Sequence, residues 1–129
     1  STGGVAAQKS HVQLMNPAAS GVTILVRKIV VSVDTTQFIS LANHNTQLAT
    51  AIMTGVNLLN GGAAAAGLIR GTNNAASQGT LLLQLRVLAN SPFPFHDDWV
   101  AELGQGEGIL VDAETVNTPI EGAFFWVEV

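Results

Sequence analysis

Twelve residues, Val22-Thr-Ile-Leu-Val-Arg-Lys-Ile-Val-Val-Ser-Val33, limit the fold of this chain more than any other stretch. β-branched side chains dominate them. Such side chains lose rotamer freedom in a helix and pack well on a pleated surface, so the segment reads as a strand. Val22, Ile24, Val26 and Val30 fall on one face, and Leu25, Ile29, Val31 and Val33 on the other. With both faces apolar, the strand belongs in the middle of a sheet. Arg27 and Lys28 interrupt both faces together, which predicts a bulge or an exposed segment there.

The rest of the chain continues in short β segments. His11–Met15 reads as a short edge strand, and Asn16-Pro-Ala-Ala-Ser-Gly21 as a turn. Asp34-Thr-Thr36 turns the chain into a strand over Gln37–Ala42. Leu48, Ala51 and Ile52 have helical spacing, which allows one helical turn within 43–53. Residues 54–79 are rich in Gly, Ala, Asn and Thr and read as a long loop. Leu81, Leu83, Leu85, Val87 and Ala89 alternate with Leu82, Gln84, Arg86 and Leu88, which predicts a strand with one buried face.

Ser91-Pro-Phe-Pro-Phe95 forces an extended bend, with its phenylalanines at an end of the core. A glycine-spaced turn at Gly104–Gly108 opens a strand over Ile109–Ala113. An Asn-Thr-Pro turn then leads to a final aromatic strand, Ala123–Val129, expected in the middle of a sandwich. The expectation is an all-β chain of seven or eight short antiparallel strands, a β-sandwich or jelly roll. Residues 1–10 form a flexible arm, and 11–129 form one domain.

Charged residues make up 11% of the chain, against about 25% in an ordinary soluble domain. So sparse a charge implies a surface partly covered by partners. The first 96 residues hold five bases and one acid, and the remaining 33 hold eight acids and no base, so the two parts stand near +4 and −8. Strands from both parts interleaving in one sheet would mix these charges. Five dispersed bases make no basic stripe, so nucleic acid is not an expected partner. No apolar run approaches the ~20 residues of a membrane span. The absence of cysteine fits assembly in a reducing cytoplasm, and Ser1–Gly4 has no secretory-signal character.

The chemistry-bearing motifs favour structural readings. His96-Asp97-Asp98 are consecutive, and neighbours on an extended chain point to opposite faces, so a shared ion is not expected. Gly104-Gln-Gly-Glu-Gly108 lacks the Lys-Ser/Thr of a phosphate loop and precedes a strand rather than a helix. His11 and His44 have no nucleophile or orienting carboxylate nearby in sequence and read as loop or edge residues. Asp112 and Glu114, two apart on a strand, read as a solvated face. Trp99 is the free candidate for a sugar platform, Trp126 being expected in the core. No catalytic residue, metal ligand, cofactor or small-molecule substrate is assigned.

Two stretches carry a resemblance. Asn16-Pro-Ala-Ala-Ser-Gly-Val-Thr-Ile-Leu-Val-Arg-Lys-Ile-Val-Val-Ser32 is one; Leu103-Gly-Gln-Gly-Glu-Gly-Ile-Leu-Val111, continuing through Thr115-Val-Asn-Thr118 to Phe124-Phe-Trp-Val-Glu128, is the other. Together they resemble small tailed-phage virion proteins of the jelly-roll or sandwich type. The resemblance implies a capsid decoration, or cement, protein on the virion surface, assembled in the host cytoplasm. It would bind the major capsid protein as a homo-oligomer, dimer or trimer. The base of a fibre or spike is the alternative, and a carbohydrate-binding module using Trp99 a further one. The expected contact elements are the arm, through Thr2, Val5 and Lys9, and the 54–79 loop, through Gly61, Ala65, Arg70 and Asn74.

Overall fold

The structure is a computed structural model that describes residues 2–54, 64–74, 76 and 78–129, with the backbone alone described at 53, 54 and 96–100. Nine strands run through the described residues: β1 (Lys9–Met15), β2 (Ile24–Val33), β3 (Gln37–Asn43), β4 (Thr50–Thr54), β5 (Leu68–Asn74), β6 (Thr80–Val87), β7 (Phe93–Leu103), β8 (Gly108–Ala113) and β9 (Ile120–Glu128). They form two antiparallel sheets, one of six strands ordered β4-β5-β1-β8-β3-β6 and one of three ordered β7-β2-β9. The protein is a β-sandwich, as its alternating apolar strands predict. Because β1, β3 and β8 lie in one sheet and β2, β7 and β9 in the other, the acidic and basic parts of the chain are interleaved.

The bulge expected at Arg27 and Lys28 is present, and it decides which side chains form the core. Pairing of β2 with both neighbours shifts register between Val26 and Lys28. Side chains alternate along a strand, so one extra residue exchanges the faces. Ile24 and Val26 are buried before the bulge, and Ile29, Val31 and Val33 after it. Even positions face inward first and odd positions afterwards. Arg27 and Lys28 are thereby left exposed at the switch. The opposing layer supplies Val12, Leu14, Ile39, Leu41, Ile109 and Val111, all in one apolar cluster with the β2 residues. Each such side chain contributes about 1.5–3 kcal/mol by leaving water.

Several expectations are corrected. β1 is an interior strand between β5 and β8, not an edge. Residues 50–54 form β4 rather than part of a helical turn, and Leu68–Asn74 of the expected long loop form β5. β9 is an edge of the smaller sheet instead of a middle strand. β6 shows no cleanly buried face: it is the edge of the larger sheet, and Leu81, Leu82 and Leu83 are exposed. The six-stranded sheet is wider than its partner, so its margins lack an opposing strand.

The arm is likewise fastened to the body. Lys9 and Ser10 already belong to β1. Thr2 is buried and exchanges both backbone hydrogen bonds with Ile120, and its hydroxyl donates to the His11 carbonyl. Ser10 Oγ donates to Thr118 O at 2.7 Å. Residues 3–7 are exposed between these anchors.

The two turns read from the sequence are joined by one side chain. Asn16 is fully buried, and its Nδ2 donates to Val22 O at 2.9 Å and Leu103 O at 3.0 Å. Its backbone N–H donates to Glu107 O, and Gly106 N–H donates to Asn16 O. Gly106 holds φ +82, which the glycine-spaced sequence supplies.

Candidate functional site

The larger sheet carries a buried polar seam on the face turned away from the core. On β1, Val12 and Leu14 point inward, so His11 and Gln13 point outward, yet both are fully buried. The segment between β3 and β4 covers Gln13. Gln13 Nε2 donates to the carbonyls of His44 (2.7 Å) and Thr46 (3.1 Å), and Leu48 N–H donates to Gln13 Oε1 at 3.0 Å. Arg70 on β5 donates from Nε to Leu48 O and from a terminal nitrogen to Ala49 O. A buried amide needs such partners, because an unmade hydrogen bond costs more than a made one gains.

His11 stands opposite Asp112 of β8, and its Nδ1 bonds Asp112 Oδ1. The His11 ring is fully buried, and its Nε2 has no hydrogen-bond partner. Gln78 N–H donates to the second carboxylate oxygen at 3.4 Å. Asp112 is therefore not part of a solvated face, and His11 is not a loop or edge residue. The two are 101 positions apart in sequence, so no local spacing could pair them.

Burial pushes the His44 imidazole below its ordinary value of 6.5, the Asp112 carboxylate opposing and His11 adding to the shift. A lowered folded value means that the unfolded chain binds the proton more readily. The associated stability is complete above about pH 6.5 and is lost as the pH falls below it. The denaturation midpoint of the wild type is expected to drop over that interval more than that of His44→Gln. Equal slopes in urea titrations at a series of pH values would contradict this.

A shallow pocket of about 160 Å³ opens beside the seam, lined by Ser40, Ala42, Gln84, Asp112 and Glu114 among others. Its polar groups answer one another. Lys9 Nζ lies 2.6 Å from Glu114 Oε2, Ser40 Oγ donates to Glu114 Oε1 at 2.6 Å, and Gln84 Nε2 donates to Ser40 Oγ. Among the described residues no three His, Asp or Glu side chains gather as a metal site. The seam and pocket hold strands and crossing segments in register.

Among the described residues two apolar surfaces remain open. The first is the outer face of the smaller sheet. Leu25 pairs with Val127, Lys28 with Phe125, and Val30 with Ala123, forming a stripe across β2 and β9. Phe125 and Val127 are 48% and 44% exposed, and the Lys28 ammonium lies 5.6 Å from the centre of the Phe125 ring. The second is the β6 margin, where Leu81, Leu82, Leu83 and Leu88 are exposed beside Phe38 and Phe93. Alternation told that β6 and β9 are strands, but not that their outward positions would be leucine, phenylalanine and valine in the open.

The residues expected to contact a partner are dispersed. Thr2 is buried, Lys9 is paired with Glu114, and Arg70 is engaged with the carbonyls of Leu48 and Ala49. Val5 is exposed, Ala65 is half-buried, and Asn74 is exposed opposite Lys9 at the end of the β1–β5 pair. Gly61 lies outside the described residues, as do the side chains of His96, Asp97, Asp98 and Trp99. Trp126 is half-buried against the core, and its Nε1 donates to Glu128 Oε1, which also accepts from Ala66 and Gly67 N–H. Compared with protein-family models, curated proteins and solved structures, the chain matches none.

Proposed function

We propose that this chain is a structural component of a larger assembly, and specifically a decoration protein that cements the head of a tailed bacteriophage by binding its major capsid protein. The observation that carries the reading is the apolar stripe on the smaller sheet, centred on Phe125, Val127 and Leu25. Monomeric proteins seldom leave a contiguous apolar face to water without a partner for it. A rigid sandwich presents such a face with little conformational entropy to lose on docking. Burial across a capsid seam contributes roughly 25 cal/mol per Å² before association costs, and many copies make modest contacts sufficient.

The phage resemblance and the sparse charge support the same reading. So does the antiparallel two-sheet sandwich, the broader architecture that the resemblance implies. The sugar-binding alternative gains nothing from Trp126, which is half-buried and tied to Glu128, and continues to rest on Trp99 alone.

Phe125→Asp tests the reading. The side chain is half in the open, so the fold should lose about 2–3 kcal/mol, chiefly the buried half of the ring with the cation–π contact to Lys28 added. Occupancy on purified shells should fall at least about tenfold, as for a central apolar anchor. Unchanged occupancy by the folded variant, or wild-type chain that ignores shells, would overturn the proposal.

A further inference from the structure

The β6 margin has its own geometry, separate from the stripe proposed to meet a shell. β6 pairs with β3 on one side, and among the described residues nothing pairs with its other edge. A free edge presents unpaired backbone donors and acceptors, which natural proteins usually blunt with charge or proline. Here Thr80–Val87 reads Thr-Leu-Leu-Leu-Gln-Leu-Arg-Val, with one charge and no proline. The one irregularity is at its start: Leu41 pairs with Leu83 but Ala42 with Leu81, leaving Leu82 as a bulge. From Leu83 to Val87 the strand is regular.

Both sides of the edge are apolar. Leu83 lies opposite buried Leu41, on the face toward the smaller sheet. That sheet stops at β7, so Leu83 is 39% exposed, and Phe93 on β7 is 36% exposed. On the opposite face Leu81 and Phe38 are 59% and 52% exposed. Taking on the order of 200 Å² for a fully exposed large side chain, the exposed Leu81, Leu82, Leu83, Leu88, Phe38 and Phe93 leave about 600 Å² open. Shared between the two faces of the edge, that is most of the ~800 Å² per partner of a stable interface.

We propose that this margin is where a second copy of the chain docks, β6 against β6, antiparallel about a two-fold axis. The register that uses the regular stretch centres on Leu85. Leu83 then meets Val87 of the second copy, and Leu85 meets its own equivalent. Gln84 and Arg86 are the exposed polar positions between them, and Arg86 is the one charge of β6. In this register each Arg86 faces Gln84 of the second copy, so no two like charges are directly opposed. A two-fold contact uses one patch twice and therefore closes at a dimer, joining the larger sheets of both copies. The proposal goes beyond the shell-binding reading and does not depend on it, since it concerns the chain free of shells.

Sedimentation equilibrium on the full chain, over a range of concentrations, tests it with three variants. Wild type should fit a monomer–dimer equilibrium, and Leu83→Lys should be monomeric throughout. Gln84→Lys places a cation opposite each Arg86, giving two like-charge pairs across the dimer, and should weaken it about tenfold; Gln84→Glu should tighten it about tenfold, with both effects shrinking at high salt. Thermal unfolding of each variant confirms that the fold is kept. A wild type that stays monomeric, or forms trimers, overturns the proposal. So does a dimer indifferent to Leu83→Lys, or Gln84 variants that shift it in the same direction. Monomeric wild type combined with loss of shell binding in Leu83→Lys would show instead that the edge takes a strand of the capsid partner.

Discussion

Asp112→Ala is expected to destabilise the fold by about 3 kcal/mol, the low end for breaking a buried charged pair and the high end for orphaning a neutral buried partner. Asp112 and His11 are 1% and 0% exposed, so the lost carboxylate is a buried partner. The variant leaves His11 Nδ1 without its partner on a ring whose Nε2 already has none. Gln78 N–H loses its acceptor too. Asp112→Asn keeps an acceptor oxygen and should cost distinctly less. Replacing both members, His11→Leu with Asp112→Leu, should recover much of the single-variant loss, because neither site is then left with an unmet polar group. Urea midpoints at constant slope measure all three. An Asp112→Ala cost under about 1 kcal/mol, or a double variant worse than the two singles together, would show that the pair does not hold this face.

The same pair shows where the sequence stops being informative. Strand existence was legible because it depends on local alternation: β2, β3, β6, β8 and β9 fall close to where their apolar residues place them. The bulge was legible too, because Arg27 and Lys28 break both faces at once. Its consequence was not. Reading Val30 with Ile24 and Val26 assumes unbroken alternation, whereas the structure moves Val30 to the outer stripe and brings Ile29, Val31 and Val33 inside. What covers a face is a non-local matter. His11 and Gln13 look like the solvated half of an amphipathic strand, until the 44–49 segment folds over Gln13 and Asp112 pairs with His11. Leu81 and Leu83 look like one buried row, until the bulge at Leu82 turns Leu81 to the outer face and the smaller sheet proves to end at β7 on the side of Leu83. β5 was missed because Leu68-Ile-Arg-Gly-Thr-Asn-Asn74 has the composition of a loop. It is held as a strand by pairing with β1 and β4 and by Arg70's hold on Leu48 and Ala49.

Gly79→Ala should cost about 3–4 kcal/mol, more than its left-handed backbone alone explains. Gly79 has φ +72, and a Cβ there would lie 2.2 Å from the Asn43 carbonyl oxygen and 3.0 Å from its carbon. The φ term contributes on the order of 1 kcal/mol for alanine. The remainder is steric, and the obstacle is backbone, which cannot rotate away as a side chain could. Asn43 is also the register partner of Thr80, so the chain must open the β3–β6 pair where β6 begins. His44 follows immediately, and its carbonyl accepts from Gln13, so displacement there loosens the cover over the polar seam. Gly106→Ala separates the two terms: it has φ +82 but nothing within 4 Å of the new Cβ, and should cost about 1 kcal/mol. Gly3→Ala meets neither obstacle and should be neutral within about 0.5 kcal/mol. Denaturant unfolding should therefore rank the three as Gly79, Gly106, Gly3. If Gly79→Ala costs no more than Gly106→Ala, the Asn43 backbone yields freely and the start of β6 is not fixed by this contact. If the ranking holds, the position of the exposed leucine edge is set by a glycine that lies outside it.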